Sequence, residues 1–249
     1  MISLGSAAFL LLAGALAGVV GTAGGITSLV SYPALLAIGV PALPANIANL
    51  VAMTICWPAT ALASQRELTG TRRWLAQGLP VAALGAGAGA VLLLATPSGV
   101  FTEVVPFLVA AGSVALLAQP WLTARRQHHH QPVGPTLVGV GVLSIYSGYF
   151  GAGSGIMLLA LLLVLVDDRL PQANARKNML LGAGSVASAA IFVCAGPVDW
   201  GVVVPLACGL FAGSLIGPVV VRRLPSSAVR WAVGVLGLSL AVLLWLRPD

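Results

Sequence analysis

Asn174, Lys177 and Asn178 stand at spacings i, i+3 and i+4, so on a helix an amine and two amides share one face. Asn46 and Asn49 repeat part of that pattern earlier in the chain. A lysine in or near a membrane span is costly and by default marks function. Its ammonium suits an anionic solute, and neighbouring amides would orient such a solute through hydrogen bonds. Each group also has a plainer use. Near a helix end Lys177 could snorkel to the headgroups, and asparagines can hold membrane helices together. Arg176 falls on a different face of the same helix and reads as interfacial, near Asp167 or Asp168.

Two glycine runs supply the other candidates. The first is Gly18-Val-Val-Gly21-Thr-Ala-Gly24-Gly25-Ile26 and the second is Gly148-Tyr-Phe-Gly151-Ala-Gly-Ser-Gly155-Ile156. Backbone groups freed by a helix break inside a bilayer must be covered by protein or by a watery cavity. A break that ends in a new helix start aims unpaired N–H groups and a partial positive charge at one point, which suits an anion. Two breaks, one in each half, would meet near the midplane and form one site. The candidate substrate-binding residues are Gly21, Thr22, Gly24 and Gly25 from the first run and Gly151, Gly153, Ser154 and Gly155 from the second. Asn46, Asn49, Asn174, Lys177 and Asn178 join them. Thr27 and Ser28 add hydroxyl groups. The alternative is that the glycines only permit close packing.

Other chemistries find less support. No histidine lies in an apolar stretch to serve as a base for Ser154, so no catalytic residue is assigned. His128, His129 and His130 resemble a metal-binding tract. They sit beside Arg125 and Arg126 and read as solvated, so neither a metal nor a cofactor is expected. Cys56, Cys194 and Cys208 lie inside apolar stretches and read as small buried hydrophobes. With no phosphate-binding loop in the chain, any transport would be driven by a gradient.

These groups need helices to hold them. Of the 249 residues, 59% are hydrophobic and 7% are charged, against about 25% charged in a soluble domain. Apolar blocks run over 6–39, 44–64, 74–95, 104–122, 135–166, 171–195, 201–221 and 229–246. A span needs roughly 20 residues; the first and fifth blocks exceed it, and these two carry the glycine runs. The N-terminus lacks the basic start of a signal peptide and reads as mature structure. Lys and Arg lie in short clusters between the blocks, as they do in cytoplasmic loops. The net charge of +6 therefore does not point to nucleic acid.

Anchors recur in order. Gly18, Gly21, Gly25 and Ile26 match Gly148, Gly151, Gly155 and Ile156. Pro44 and Asn46 match Pro171 and Asn174. Trp74, Pro80, Gly85 and Gly89 match Trp200, Pro205, Gly209 and Gly213. This implies a duplication, with repeats over 1–124 and 135–249 joined by 125–134. Glycines four apart suit close helix approach. Arg72 and Arg73 precede Trp74 and Glu103 follows that block; in the second repeat Asp199 precedes Trp200 and Arg222 and Arg223 follow. By the positive-inside rule the equivalent helices point in opposite directions. The expected fold is an all-α integral membrane protein, a single membrane domain of two inverted repeats. Each repeat is a glycine-broken, re-entrant-like helix pair followed by three transmembrane helices. Eight simple spans is the alternative.

The segment Gly21-Thr-Ala-Gly24-Gly25-Ile26-Thr-Ser-Leu-Val-Ser-Tyr-Pro33-Ala-Leu35 resembles the glycine-rich signature of the TauE/SafE sulfite exporter family, also called the toluene-sulfonate uptake permease family. Gly148-Tyr-Phe-Gly151-Ala-Gly-Ser-Gly155 and Asn174-Ala-Arg-Lys177-Asn178 resemble its second-half counterpart, and the likeness covers almost the whole chain. Many members carry three adjacent glycines where this chain has Ala23, Gly24 and Gly25. The resemblance implies a multi-pass inner-membrane permease for sulfite, sulfonates or related small anions. The expectation is a secondary transporter working by alternating access. Its partners would be the lipid bilayer and a small anionic solute; coupling to protons or another ion, and a homodimer, stay open. A structural or scaffold membrane protein and an intramembrane enzyme are the other classes.

Overall fold

The computed structural model describes residues 3–24, 26–63, 67–118, 120–121, 133–166, 170–196, 198–221 and 226–246. These hold eleven helices and no strand. In the first half they are α1 (Leu4–Gly24), α2 (Ser28–Ala37), α3 (Ala42–Met53), α4 (Cys56–Ala63), α5 (Arg72–Ala95) and α6 (Ser98–Leu117). In the second they are α7 (Val133–Tyr149), α8 (Ser154–Leu165), α9 (Leu170–Ala195), α10 (Trp200–Val221) and α11 (Ser226–Leu246). The loop with Arg125, Arg126 and His128–His130 lies outside the described residues, as do Gly25, Asp167, Asp168, Arg222 and Arg223.

The all-α membrane architecture holds. Leu4–Gly21, Arg72–Ala95, Ser98–Leu117 and Pro171–Ala195 are long and apolar enough to cross a bilayer, and the other helices are shorter apolar ones. Large aliphatic and aromatic side chains face outward, among them Leu84, Phe107, Val138 and Leu236, as suits helices set in lipid.

Both glycine runs interrupt a helix. At the first, α1 ends at Gly24 and α2 begins at Ser28. The chain folds back there: a methyl group at Gly21 would overlap the Thr27 hydroxyl, six residues on, which a continuous helix forbids. At the second, Gly151 and Gly153 take φ of +81° and +75°, a region that costs other residues roughly 1–2 kcal/mol. Phe150 wedges this turn between two neighbours. Its ring meets Tyr32 of α2 edge-on at 5.3 Å and Phe101 of α6 at 6.3 Å.

The block 44–64 is not one helix, which departs from the expected span. It tightens into i→i−3 bonds at Thr54, Ile55 and Trp57, where α3 gives way to α4. Pro58 explains this: it has no N–H to give Thr54 O, and its ring crowds that carbonyl.

The glycine pairs seat helices of one half on helices of the other. Methyl groups at Gly14 and Gly18 of α1 would run into Leu206 O and Leu210 O of α10. Methyl groups at Gly209 and Gly213 would run into Leu11 O and Ala15 O. The equivalent seat joins α5 to α7. Gly85 and Gly89 lie on Gly141 O and Ile145 O, and Gly148 lies on Ala86 O. The packing role read for these pairs is what they perform.

Candidate functional site

A cavity of about 100 Å³ opens between the two chain breaks. That is several times the roughly 10–15 Å³ that one water needs, so it has room for a small solute. Gly21 and Thr27 reach it from the first break; Ser147, Gly151 and Ser154 reach it from the second. The breaks are neighbours: a methyl group at Gly151 would sit 3.7 Å from Ser28 Oγ. Helix α9 forms one long wall through Lys177, Asn178, Leu181, Gly182, Gly184, Ser185 and Ser188, a single stripe at helical spacing. Met53, Cys56, Trp57 and Thr60 close the opposite side, and Ser214 of α10 completes it.

Lys177 is the charged group of this lining. It is 1% exposed, and its Nζ donates 2.7 Å to Asn174 Oδ1, a neutral acceptor. Among the described residues no carboxylate pairs with it. A buried cation held by one amide keeps most of its desolvation cost uncompensated, unless something negative enters the cavity. Snorkelling, the plainer reading of Lys177, does not describe a side chain so fully enclosed.

The hydroxyls divide into two groups. Ser154 donates to Gly151 O at 2.8 Å, Ser185 to Gly182 O at 2.9 Å and Ser188 to Ala86 O and Gly184 O, both at 3.0 Å. Ser28 donates to Met53 Sδ at 3.1 Å, so neither Ser28 nor Ser154 is the free donor expected of it. The lining also carries the Thr27 and Ser147 hydroxyls and the Asn178 side-chain amide, none of which makes a side-chain hydrogen bond among the described residues, and the buried Trp57 Nε1 has no acceptor there either. The cavity thus gathers uncommitted donors around one cation. Both helix starts beside it lack a side-chain cap: Thr27 precedes α2 and Gly153 precedes α8.

The remaining candidates sit behind the lining. Asn46 and Asn49 are fully buried. Asn46 Nδ2 donates 2.8 Å to Tyr149 O at the end of α7, which ties the first half to the second break. Ser31 bonds to Asn49 Oδ1 and, at 2.9 Å, to Thr27 O, bracing the first break. Gly153 packs on the backbone of Gly112 of α6, and Gly155 is buried in the first turn of α8. Thr22 and Gly24 fall in the last turn of α1. Gly21, Gly151, Ser154, Lys177 and Asn178 therefore line the cavity, while Asn46, Asn49, Asn174 and Gly153 hold its walls. Arg176 lies 5.4 Å over the Trp74 ring, away from the lining.

The cysteines correct their sequence reading. Cys194 and Cys208 are exposed on the outer surface, and Cys56 is half-buried in the cavity wall, where its Sγ accepts from Ser214 Oγ at 3.3 Å. Cys56, Trp57, Ser147 and the small residues from Gly182 to Ser188 were not among the candidates. Pro58 gives a signal for the first two, because it breaks the helix that carries them. The α9 residues look like a packing face in sequence.

Residues 7–244 match the family profile described as sulfite exporter TauE/SafE. The chain belongs to the TauE/SafE family. A probable membrane transporter protein, ORF9, from Sinorhizobium sp is 26% identical over 243 residues, covering 97% of this chain and 93% of that one. The probable membrane transporter protein YfcA of Escherichia coli K12 is 26% identical over 208 residues, covering 81% and 76%. A probable membrane transporter protein of Haemophilus influenzae is 27% identical over 150 residues, covering 59% and 58%. No solved structure matches the chain at a significant level. This TauE/SafE member is a multi-pass membrane protein of the transporter class.

Proposed function

We propose that this TauE/SafE protein carries a small oxyanion, sulfite or a short sulfonate, through the cavity between its two chain breaks. The observation that carries the reading is Lys177: a fully buried amine in a cavity wall, with a single neutral partner. An anion with several oxygens would accept from Lys177 and from the free donors of Thr27, Ser147 and Asn178. The uncapped starts of α2 and α8 add partial positive charge at the same place. The family description names sulfite, and the size of the cavity favours an ion of that scale over a bulky one.

Alternating access around this site is the proposed mechanism, with the two halves as inverted repeats. The exchange of partners supports it, since α1 seats on α10 as α7 seats on α5. Moving one such pair against the other would open the cavity to one side at a time.

Cys56 supplies the test. With Cys194 and Cys208 replaced by serine, it is the remaining thiol of three. An anionic methanethiosulfonate should label it faster than a cationic one, each rate taken relative to a small free thiol, and added methanesulfonate should slow the labelling. Labelling that favours the cationic reagent, with no protection by methanesulfonate, would overturn the reading. Sulfite flux into proteoliposomes then tests movement itself.

A further inference from the structure

Trp57 stands out from the other cavity residues. It is the second residue of α4, at the interruption that Pro58 imposes, and Thr54 pins that interruption to α9 by donating to Ser185 O at 3.3 Å. The five-membered ring of Trp57 lies against Gly182 of α9, where any β-carbon would overlap the ring's Cδ1, Nε1 and Cγ. Gly182 has ordinary helical φ, so alanine would suit the backbone better there; what the position lacks is room. The indole N–H is buried with no acceptor. Nature rarely leaves a buried donor unmet, and this one belongs to a residue that lines the cavity.

We propose that Trp57 is a second anchor for the transported ion, its indole N–H donating to one of the ion's oxygens, and that Gly182 is a positioning residue that seats the ring. This rests on the reading of the cavity as an anion site and deepens it to a preference among anions. Lys177 and the Trp57 seat at Gly182 are five residues apart on α9, about 7.5 Å of helix rise. Donors rooted that far apart are bridged better by an ion with several oxygens than by a single atom. The site therefore selects polyatomic oxyanions over halide. The tryptophan N–H fixes orientation and Lys177 supplies charge.

Binding of methanesulfonate, sulfite and chloride to the purified full-length protein in nanodiscs tests this. Trp57→Phe keeps a ring and removes the N–H; it should weaken methanesulfonate and sulfite about 10- to 100-fold and chloride much less. Gly182→Ala should weaken the same two anions in the otherwise unchanged protein and have no further effect in a Trp57→Ala background. Trp57→Phe binding methanesulfonate as tightly as the unsubstituted protein would overturn the assignment. So would a Gly182→Ala loss that persists in the Trp57→Ala background. If Lys177→Met abolishes anion binding and Trp57→Phe leaves it intact, the Trp57 assignment alone falls. If the unsubstituted protein binds none of the three anions, the anion site falls and this anchor with it.

Discussion

Replacing Lys177 with methionine keeps the length of the side chain and removes its charge. Lys177 is 1% exposed and has one neutral partner at 2.7 Å, and among the described residues no other charged group lines the cavity to neutralise a bound anion. Two unit charges about 4 Å apart, at an effective dielectric of about 20, attract by roughly 4 kcal/mol. Part of that offsets the anion's lost hydration. A net loss of roughly 2–4 kcal/mol is a weakening of about 30- to 1,000-fold. The empty protein responds the other way, because the substitution removes a buried cation whose desolvation costs several kcal/mol. Asn174 Oδ1 then loses its donor, at about 1–3 kcal/mol. Calorimetry with methanesulfonate should show the affinity collapse, and thermal unfolding in detergent should show a midpoint equal to or above that of the unsubstituted protein. Unchanged affinity would remove Lys177 from the site. A large fall in midpoint would make it a structural residue, and the argument from its lone partner would be wrong.

Other substitutions test the frame. Gly213→Ala and Gly89→Ala push a methyl group into Ala15 O and Ile145 O, and each should cost at least about 1–3 kcal/mol by thermal unfolding; Gly99→Ala, with open space around it, should be neutral or stabilising. Gly153→Ala should lose both stability and sulfite flux, since it combines φ of +75° with a collision against Gly112. Gly39→Ala, at φ +84° in open space, should lose a little stability and no flux. Asn46→Leu cuts the bond to Tyr149 O and should cost about 1–3 kcal/mol while lowering flux in proteoliposomes.

Much of the architecture is legible in the sequence. Apolar block lengths and glycine runs locate both breaks, because bilayer thickness sets a length that those blocks exceed. Lys177 was readable for the same reason, as a charge in a place where charges are expensive. The division of labour among the polar residues was not readable. Asn46 and Lys177 look alike as polar groups in apolar helices, yet Asn46 spends its amide on Tyr149 O and Lys177 faces the cavity. That difference depends on which helix lies opposite, and spacing along one helix does not carry it. The α9 wall was hidden because Gly182, Gly184, Ser185 and Ser188 suit close packing as well as cavity lining. The place of Trp57 follows from Pro58, which denies Thr54 O its i+4 donor and breaks the helix, an effect that the apolar character of the block 44–64 conceals.

The glycine seats also bear on how the protein is made. α1 is synthesised first, yet the backbone it fits belongs to α10, nearly two hundred residues later. Until then its groove of Gly14 and Gly18 has no mate, and α5 waits for α7 in the same way. A cut in the stretch 122–132 would yield two fragments that each hold half of two interlocks. Neither should survive alone in a cell, and the two produced together should re-form the transporter, as a pair of separate chains would before a linker tied them into one.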